Sequence, residues 1–185
     1  MNKRMWELKK QSLIESAKEF DARSPAADLL QHEAFGEEWR SVWLLKTVTL
    51  VQRPDGTVRT VGPLLIGIRY HIAYMTQAPH PMEIVTVLQP KRVFHPNCNP
   101  AGGVCLGHPA PGLSLETILH QTWAGLTFNM RRINTSNGEI LNIEAAEFVR
   151  ANAERFPLTQ KGILEVPDPE IAAVLPPAPS ILPQS

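Results

Sequence analysis

The chain has 185 residues, 43% of them apolar, which is enough for one domain with its own core, held without disulfides or a structural metal. Lys plus Arg and Asp plus Glu number 18 each, so the net charge is zero and the composition offers no electrostatic footprint for nucleic acid or an anionic membrane. Two cysteines are too few for a disulfide framework, no apolar run of signal-peptide length follows the basic N-terminus, and none reaches the roughly 18 residues of a membrane span. The expectation is a cytoplasmic protein with free thiols and neither nucleic acid nor membrane as partner.

The first element reads as a helix, because Trp6, Leu13, Ala17 and Phe20 fall on one face at helical spacing. It stops between Asp21 and Pro25, where the residue before a proline is pushed out of the helical region. Ala26 to Phe35 reads as a second short helical or irregular piece. From Val42 to Gln52 the chain is rich in β-branched and aromatic residues, the signature of a strand, and then meets the turn Pro54-Asp55-Gly56.

Further strand patterns follow at 57–61, 64–75 and 83–89, set off by Gly62-Pro63 and by prolines 79, 81 and 90. Three or four antiparallel strands in a meander are the economical arrangement. Between Gln89 and Leu113 periodicity is lost, yet Val93, Phe94, Val104 and Leu106 give this long loop apolar anchors, as in an ordered functional loop. Helical spacing returns with Leu115, Ile118, Leu119, Thr122 and Trp123 behind the N-cap candidate Ser114, and again over Asn142–Arg150 with Asn142 as cap. Pro157 ends or follows that helix, and the 158–185 segment is so rich in proline that a flexible appendage is expected. The class is α+β: an N-terminal helix, about four meander strands, a long loop, then helices.

The loop reads His95-Pro96-Asn97-Cys98-Asn99-Pro100-Ala101-Gly102-Gly103-Val104-Cys105-Leu106 and holds both cysteines. Taken residue by residue, several chemistries fit. A cysteine between Val and Leu is often a small buried hydrophobe. His95, Cys98, Cys105 and His108 form an acceptable tetrahedral zinc set, although a domain of this size does not need one. A cysteine hydrolase needs a histidine base, and His71, His80, His95, His108 and His120 are all candidates, but no serine elbow or papain-type cysteine context accompanies them. Gly102-Gly103 lacks the Gly-Lys-Ser/Thr continuation of a phosphate loop.

Two motifs in order carry a resemblance. His95-Pro96-Asn97 followed by Cys105-Leu106 resembles the His-Pro-Asn motif and active-site cysteine of ubiquitin-conjugating enzymes. Glu139-Ile140-Leu141-Asn142-Ile143-Glu144-Ala145-Ala146 resembles that family's acidic-Pro-Leu-Asn-x-Glu-Ala-Ala stretch. The likeness covers about residues 1 to 157 and implies a catalytic domain of that fold, a divergent member similar to the bacterial relatives of the eukaryotic pathway. It implies a transferase that carries a ubiquitin-like protein as a thioester on Cys105, with no cofactor or metal. The modifier would come from an ATP-dependent activating enzyme and pass to an amine, a lysine of a target protein.

On this resemblance Asn97 donates to the developing oxyanion or braces the loop, His95 and Pro96 are structural, and Glu139 orients or deprotonates the amine. Lys3, Arg4, Lys9 and Lys10 lie on the helix that docks the activating enzyme, and Cys98 has no catalytic role. Departures are Gly107-His108 in place of the usual Asp after Cys-Leu, and the absence of a Trp-Ser-Pro segment. They leave two alternatives: a non-catalytic module of the same fold that binds a ubiquitin-like protein, and a zinc-stapled domain.

Overall fold

The computed structural model describes residues 3–129 and 140–167. Helix α1, Lys3–Arg23, buries the four residues whose spacing marks its inner face, Trp6, Leu13, Ala17 and Phe20. Its end is fastened twice: the Ser24 amide donates to the Phe20 carbonyl at 2.9 Å, and Asp21 Oδ1 accepts the Leu29 amide at 2.6 Å.

Residues 26–35, expected to be helical or irregular, instead supply strand β1, Ala27–Phe35. It is an edge strand with one neighbour, and most of its side chains are half-buried or exposed, so it shows no clean alternation for a sequence pattern to display. Gly36 and Glu37 turn the chain into β2, Glu38–Leu45, with Gly36 at φ +55, where a side chain is disfavoured.

The strand expected from Val42 to Gln52 is two strands. After β2 the chain leaves the sheet at Lys46, whose amide donates to Ala26 O at 2.8 Å and whose ammonium meets Asp28 at 2.6 Å. It then forms a separate two-stranded ribbon, β3 Thr49–Gln52 and β4 Val58–Val61, with Pro54-Asp55-Gly56 at its tip. Strand β5, Leu64–His71, returns to pair with β2, followed by β6, Val85–Gln89, and the short β7, Gly103–Val104. The main sheet therefore has five antiparallel strands in the order β1-β2-β5-β6-β7; β1 and β7 were not expected as strands, β7 being too short to carry a period, and the strand expected at 57–61 lies in the ribbon instead.

Alternation along β2 and β5 puts Trp39, Trp43, Leu45, Ile66, Ile68 and Tyr70 on one face, where α1 and helix α2, Leu115–Leu126, cover them. Ser114 caps α2, its Oγ accepting the Thr117 amide at 3.1 Å, and Asn142 caps α3, Ile143–Ala151, its Oδ1 accepting the Ala145 amide at 3.0 Å. A second, smaller core unites the ribbon and α3: Leu50, Phe94, Phe128, Ala145 and Val149.

The chain beyond Pro157 does not leave the domain at once. The Leu158 amide bonds to Thr127 O at 2.9 Å, Trp123 Nε1 to Lys161 O at 3.0 Å, and Ser24 Oγ to Ile163 O at 2.6 Å, with Ile163 fully buried. The boundary expected at residue 157 thus misses a packed segment that ends beyond Ile163, because proline content says nothing about a few apolar residues finding a home on the core. Among the described residues no helix is long and apolar enough to cross a membrane.

Candidate active site

The cysteine loop lies at the seam of the two cores. Val93 bridges to Val51 of the ribbon, and the Phe94 amide donates to Leu50 O at 2.8 Å while its ring meets Phe148 at 5.7 Å. His95 follows, with no exposed surface. Its Nδ1 accepts the Asn97 amide at 3.0 Å, which leaves the hydrogen on Nε2 to be donated to Gly125 O at 2.7 Å. Burial drives its pKa down to about 4, against a weaker opposing effect of the Gly125 carbonyl. His95 is therefore a neutral pin between the loop and the end of α2, with the Phe128 ring packed against it at 4.4 Å, tilted by 57°.

Pro96 extends the pin to α3, its carbonyl accepting the amides of Leu141 at 2.9 Å and Asn142 at 3.2 Å. Asn97, 7% exposed, offers its carbonyl to the Cys105 amide at 2.8 Å. That bond and the one from Asn99 N to Gly103 O at 3.0 Å frame an antiparallel pair, Cys98 opposite Val104. Residues directly opposite in such a pair point the same way, and neighbours along the chain point the other way. Cys98 and Val104 both enter the main core, so Cys105 turns outward. Cys98 is 1% exposed, and its thiol is pushed up to about 12, chiefly by burial, whereas Cys105 is half-buried.

Gly102 makes this short ribbon possible. It sits at φ +91, and a Cβ there would fall 2.6 Å from the Val87 carbonyl of β6. Gly102→Ala is expected to lower stability by at least about 2 kcal/mol. The urea midpoint measures this, and an unchanged midpoint removes the glycine from this account.

Cys105 opens on a pocket of about 190 Å³ walled by His80, Pro81, Met82, Gly107, His108 and Leu141. The Leu106 amide donates to Pro81 O at 3.3 Å, which ties the chain after the cysteine to the turn before β6. Of the five histidines considered as partners for a thiol, the fold brings only His80 and His108 to Cys105. His71 caps a 3-10 turn, its Nδ1 accepting Ala73 N at 3.1 Å, and His120 stands on α2 beside Glu116. His80 carried no local signal in the sequence, since it reaches the site from 25 residues upstream. Leu141 was part of a motif, yet nothing in the motif marked it as a wall of the thiol pocket.

The zinc set does not assemble. Both ring nitrogens of His95 are engaged, Cys98 faces the core and Cys105 faces away from it. Among the described residues no three His, Cys, Asp or Glu side chains converge as a metal site. Glu139 lies outside the described residues. On α1, Lys3 and Arg4 are exposed, whereas Lys9 lies 5.0 Å over the Tyr70 ring, burial lowering its pKa, and Lys10 pairs with Glu7 at 2.8 Å.

No protein-family profile matches the sequence. No curated protein is similar to it in sequence. Among solved structures, the chain is similar to S. cerevisiae Ubc12 with a TM-score of 0.43 and 21% identity, over 84% of this chain and 86% of that one.

Proposed function

We propose that this protein is a conjugating transferase that carries a ubiquitin-like protein as a thioester on Cys105. The observation that carries this reading is the contrast within one loop: Cys105 opens on a pocket, while Cys98, seven residues earlier, is sealed in the core. A carrier thiol must be reached by two large partners in turn, so it has to stand on a rigid edge. The pinning of His95, Pro96 and Asn97 supplies one.

The chemistry is an exchange followed by a transfer. The Cys105 thiolate attacks the thioester held by an ATP-dependent activating enzyme; a new C–S bond forms, the old one breaks, and the activating enzyme's sulfur leaves with its electron pair. The two thioesters are nearly equal in energy, so the modifier is not trapped. A lysine amine of the target then attacks the same carbonyl, Cys105 leaves as thiolate, and the amine's proton passes to a base. Asn97, whose carbonyl holds the Cys105 amide, is assigned to donate its side-chain amide to the oxygen that turns negative. Glu139 is assigned to orient that amine, and the Lys3–Lys10 stretch of α1 to dock the activating enzyme, with Lys3 and Arg4 the exposed cations.

His80 and His108 in the thiol pocket favour one competing reading, a cysteine hydrolase, which would release its acyl group to water without an amine. The test is intact mass after incubation with a cognate activating enzyme, ubiquitin-like protein and ATP. The carrier gives a thiol-labile adduct in wild type and Cys98→Ser, and none in Cys105→Ser. A thiol-labile adduct that persists in Cys105→Ser overturns the choice of nucleophile. An adduct that decays in buffer as fast as with added lysine selects the hydrolase, and no adduct from an active activating enzyme selects a binding module.

A further inference from the structure

We infer that His80 supplies a hydrogen-bond donor to the carbonyl oxygen that turns negative whenever an acyl group enters or leaves Cys105. This rests on the reading of Cys105 as an acyl carrier, and not on which modifier it carries.

An acyl carbon bonded to Cys105 sits where its sulfur opens, in the pocket of about 190 Å³. Besides the thiol, the polar side chains lining that pocket are His80 and His108, and the other walls are Pro81, Met82, Gly107 and Leu141. Asn97, to which the donor's task is assigned by resemblance, is not among those walls. Attack on the acyl carbon concentrates charge on one oxygen. Between largely apolar walls, a donor already aimed at that oxygen acts more strongly than water does.

His80 is fixed beside the thiol by its own turn. Pro79 before it is buried, and Pro81 after it restricts its backbone. The His80 carbonyl accepts the Glu83 amide at 3.0 Å, which closes the turn. The Pro81 carbonyl accepts the Leu106 amide at 3.3 Å, so His80 and Cys105 each stand one residue before the bond that joins their segments.

The ring nitrogens decide between two roles. Nδ1 of His80 accepts the Met82 amide at 3.4 Å, so the hydrogen of the neutral ring sits on Nε2. A hydrolase base has the reverse arrangement. Its Nδ1–H is donated to an orienting carboxylate, and Nε2 keeps the lone pair that takes the nucleophile's proton. Glu83, the carboxylate of the same turn, accepts the Tyr74 hydroxyl at 3.2 Å instead. An imidazole held with its hydrogen on Nε2 is a donor to oxygen, a task a neutral histidine can perform.

No proton passes through His80 in either step. During loading, the Cys105 thiolate forms the new C–S bond and the carbonyl's π pair moves onto oxygen, which accepts from Nε2–H. That pair returns as the activating enzyme's sulfur leaves with its bonding pair. During discharge, the amine forms the C–N bond, the same oxygen accepts the same hydrogen bond, and Cys105 leaves as thiolate. The amine's proton goes to a base other than His80.

The probe is the acetyl thioester of mercaptoethanesulfonate, which acetylates Cys105 by thiol exchange; free lysine is then the acceptor, and intact mass reads both steps. His80 is exposed, so its variants should fold. His80→Ala should slow acetylation and discharge by about tenfold or more. His80→Gln keeps an N–H and should recover most of that loss, whereas glutamine cannot replace a base. Iodoacetamide is the control, because displacement at its saturated carbon creates no negative oxygen. Alkylation of Cys105 should change by less than about twofold in both variants.

Equal losses in acetylation and alkylation would place His80 on the sulfur or on access to it, and overturn the assignment. So would unchanged acyl rates, a His80→Gln as slow as His80→Ala, or a selective loss confined to His108→Ala. A wild-type Cys105 that alkylates yet takes no acetyl group removes the carrier reading and this role together. Selective loss in His80→Ala stands even where no ubiquitin-like protein loads, so the two readings fail separately.

Discussion

In the folded protein at pH 8, iodoacetamide is expected to alkylate Cys105 at least about a thousandfold faster than Cys98. The thiolate is the reacting form, and with its thiol pushed up to about 12 by burial, Cys98 is thiolate in only about one molecule in ten thousand at that pH. Access multiplies the effect, because Cys98 is 1% exposed, so its labelling waits for the ribbon to open. Peptide mapping by mass spectrometry at timed quenches, with and without guanidinium, reads both sites in one sample. Denaturant should bring the two rates together, and Cys98→Ser should leave the fast phase intact. Comparable labelling of both cysteines in native buffer contradicts the placement of Cys98 in the core, and with it the reason for choosing Cys105 as the carrier.

His95→Ala should lower stability at pH 7 by about 4 kcal/mol. It leaves two buried groups without partners, the Gly125 carbonyl and the Asn97 amide, and opens a cavity against Phe128. The pH dependence identifies the cause. The ring's pKa is lowered to about 4 in the fold, from about 6.5 when unfolded, chiefly by burial. As pH falls below 6.5 the unfolded chain takes up a proton that the folded protein refuses. The unfolded state then binds more protons, and stability rises with pH across that window.

The stability present above pH 6.5 is lost progressively as pH falls to about 4, and the loss amounts to about 3 kcal/mol. His95→Gln keeps an N–H for Gly125 but cannot titrate. Its stability difference from wild type should therefore shrink on acidification by about that amount. Urea denaturation at pH 7.5, 5.5 and 4.5 measures both variants. Parallel pH profiles for wild type and His95→Gln would show that His95 does not carry the acid limb.

Much of the helical architecture was legible in the chain. The inner face of α1 rests on steps of three, four and seven residues and the caps Ser114 and Asn142 on amides three residues ahead, and the structure places them as read. The strands were legible where both faces differ in burial, as along β5, and in β2 only from Val42 onward. They were not legible in β1, an edge strand with little burial contrast, nor at Lys46, where the run of strand-forming residues hides a change from sheet to ribbon. The packed residues after Pro157 were missed for a similar reason: Ile163 is buried by contacts made far along the chain, not by a local pattern.

The same division holds at the site. The sequence by itself gathered the candidate site residues in one loop, because His-Pro-Asn, the two glycines and the two cysteines stand within a dozen residues and their order is a local fact. Which cysteine faces out depends on the pairing of Cys98 with Val104 across the turn, and so on the close approach of Gly102 to Val87. Which histidines can reach the thiol was decided only in three dimensions. His80, Cys105 and Leu141 come from separate parts of the chain, and a window of sequence records the period of one element but not the distance between two.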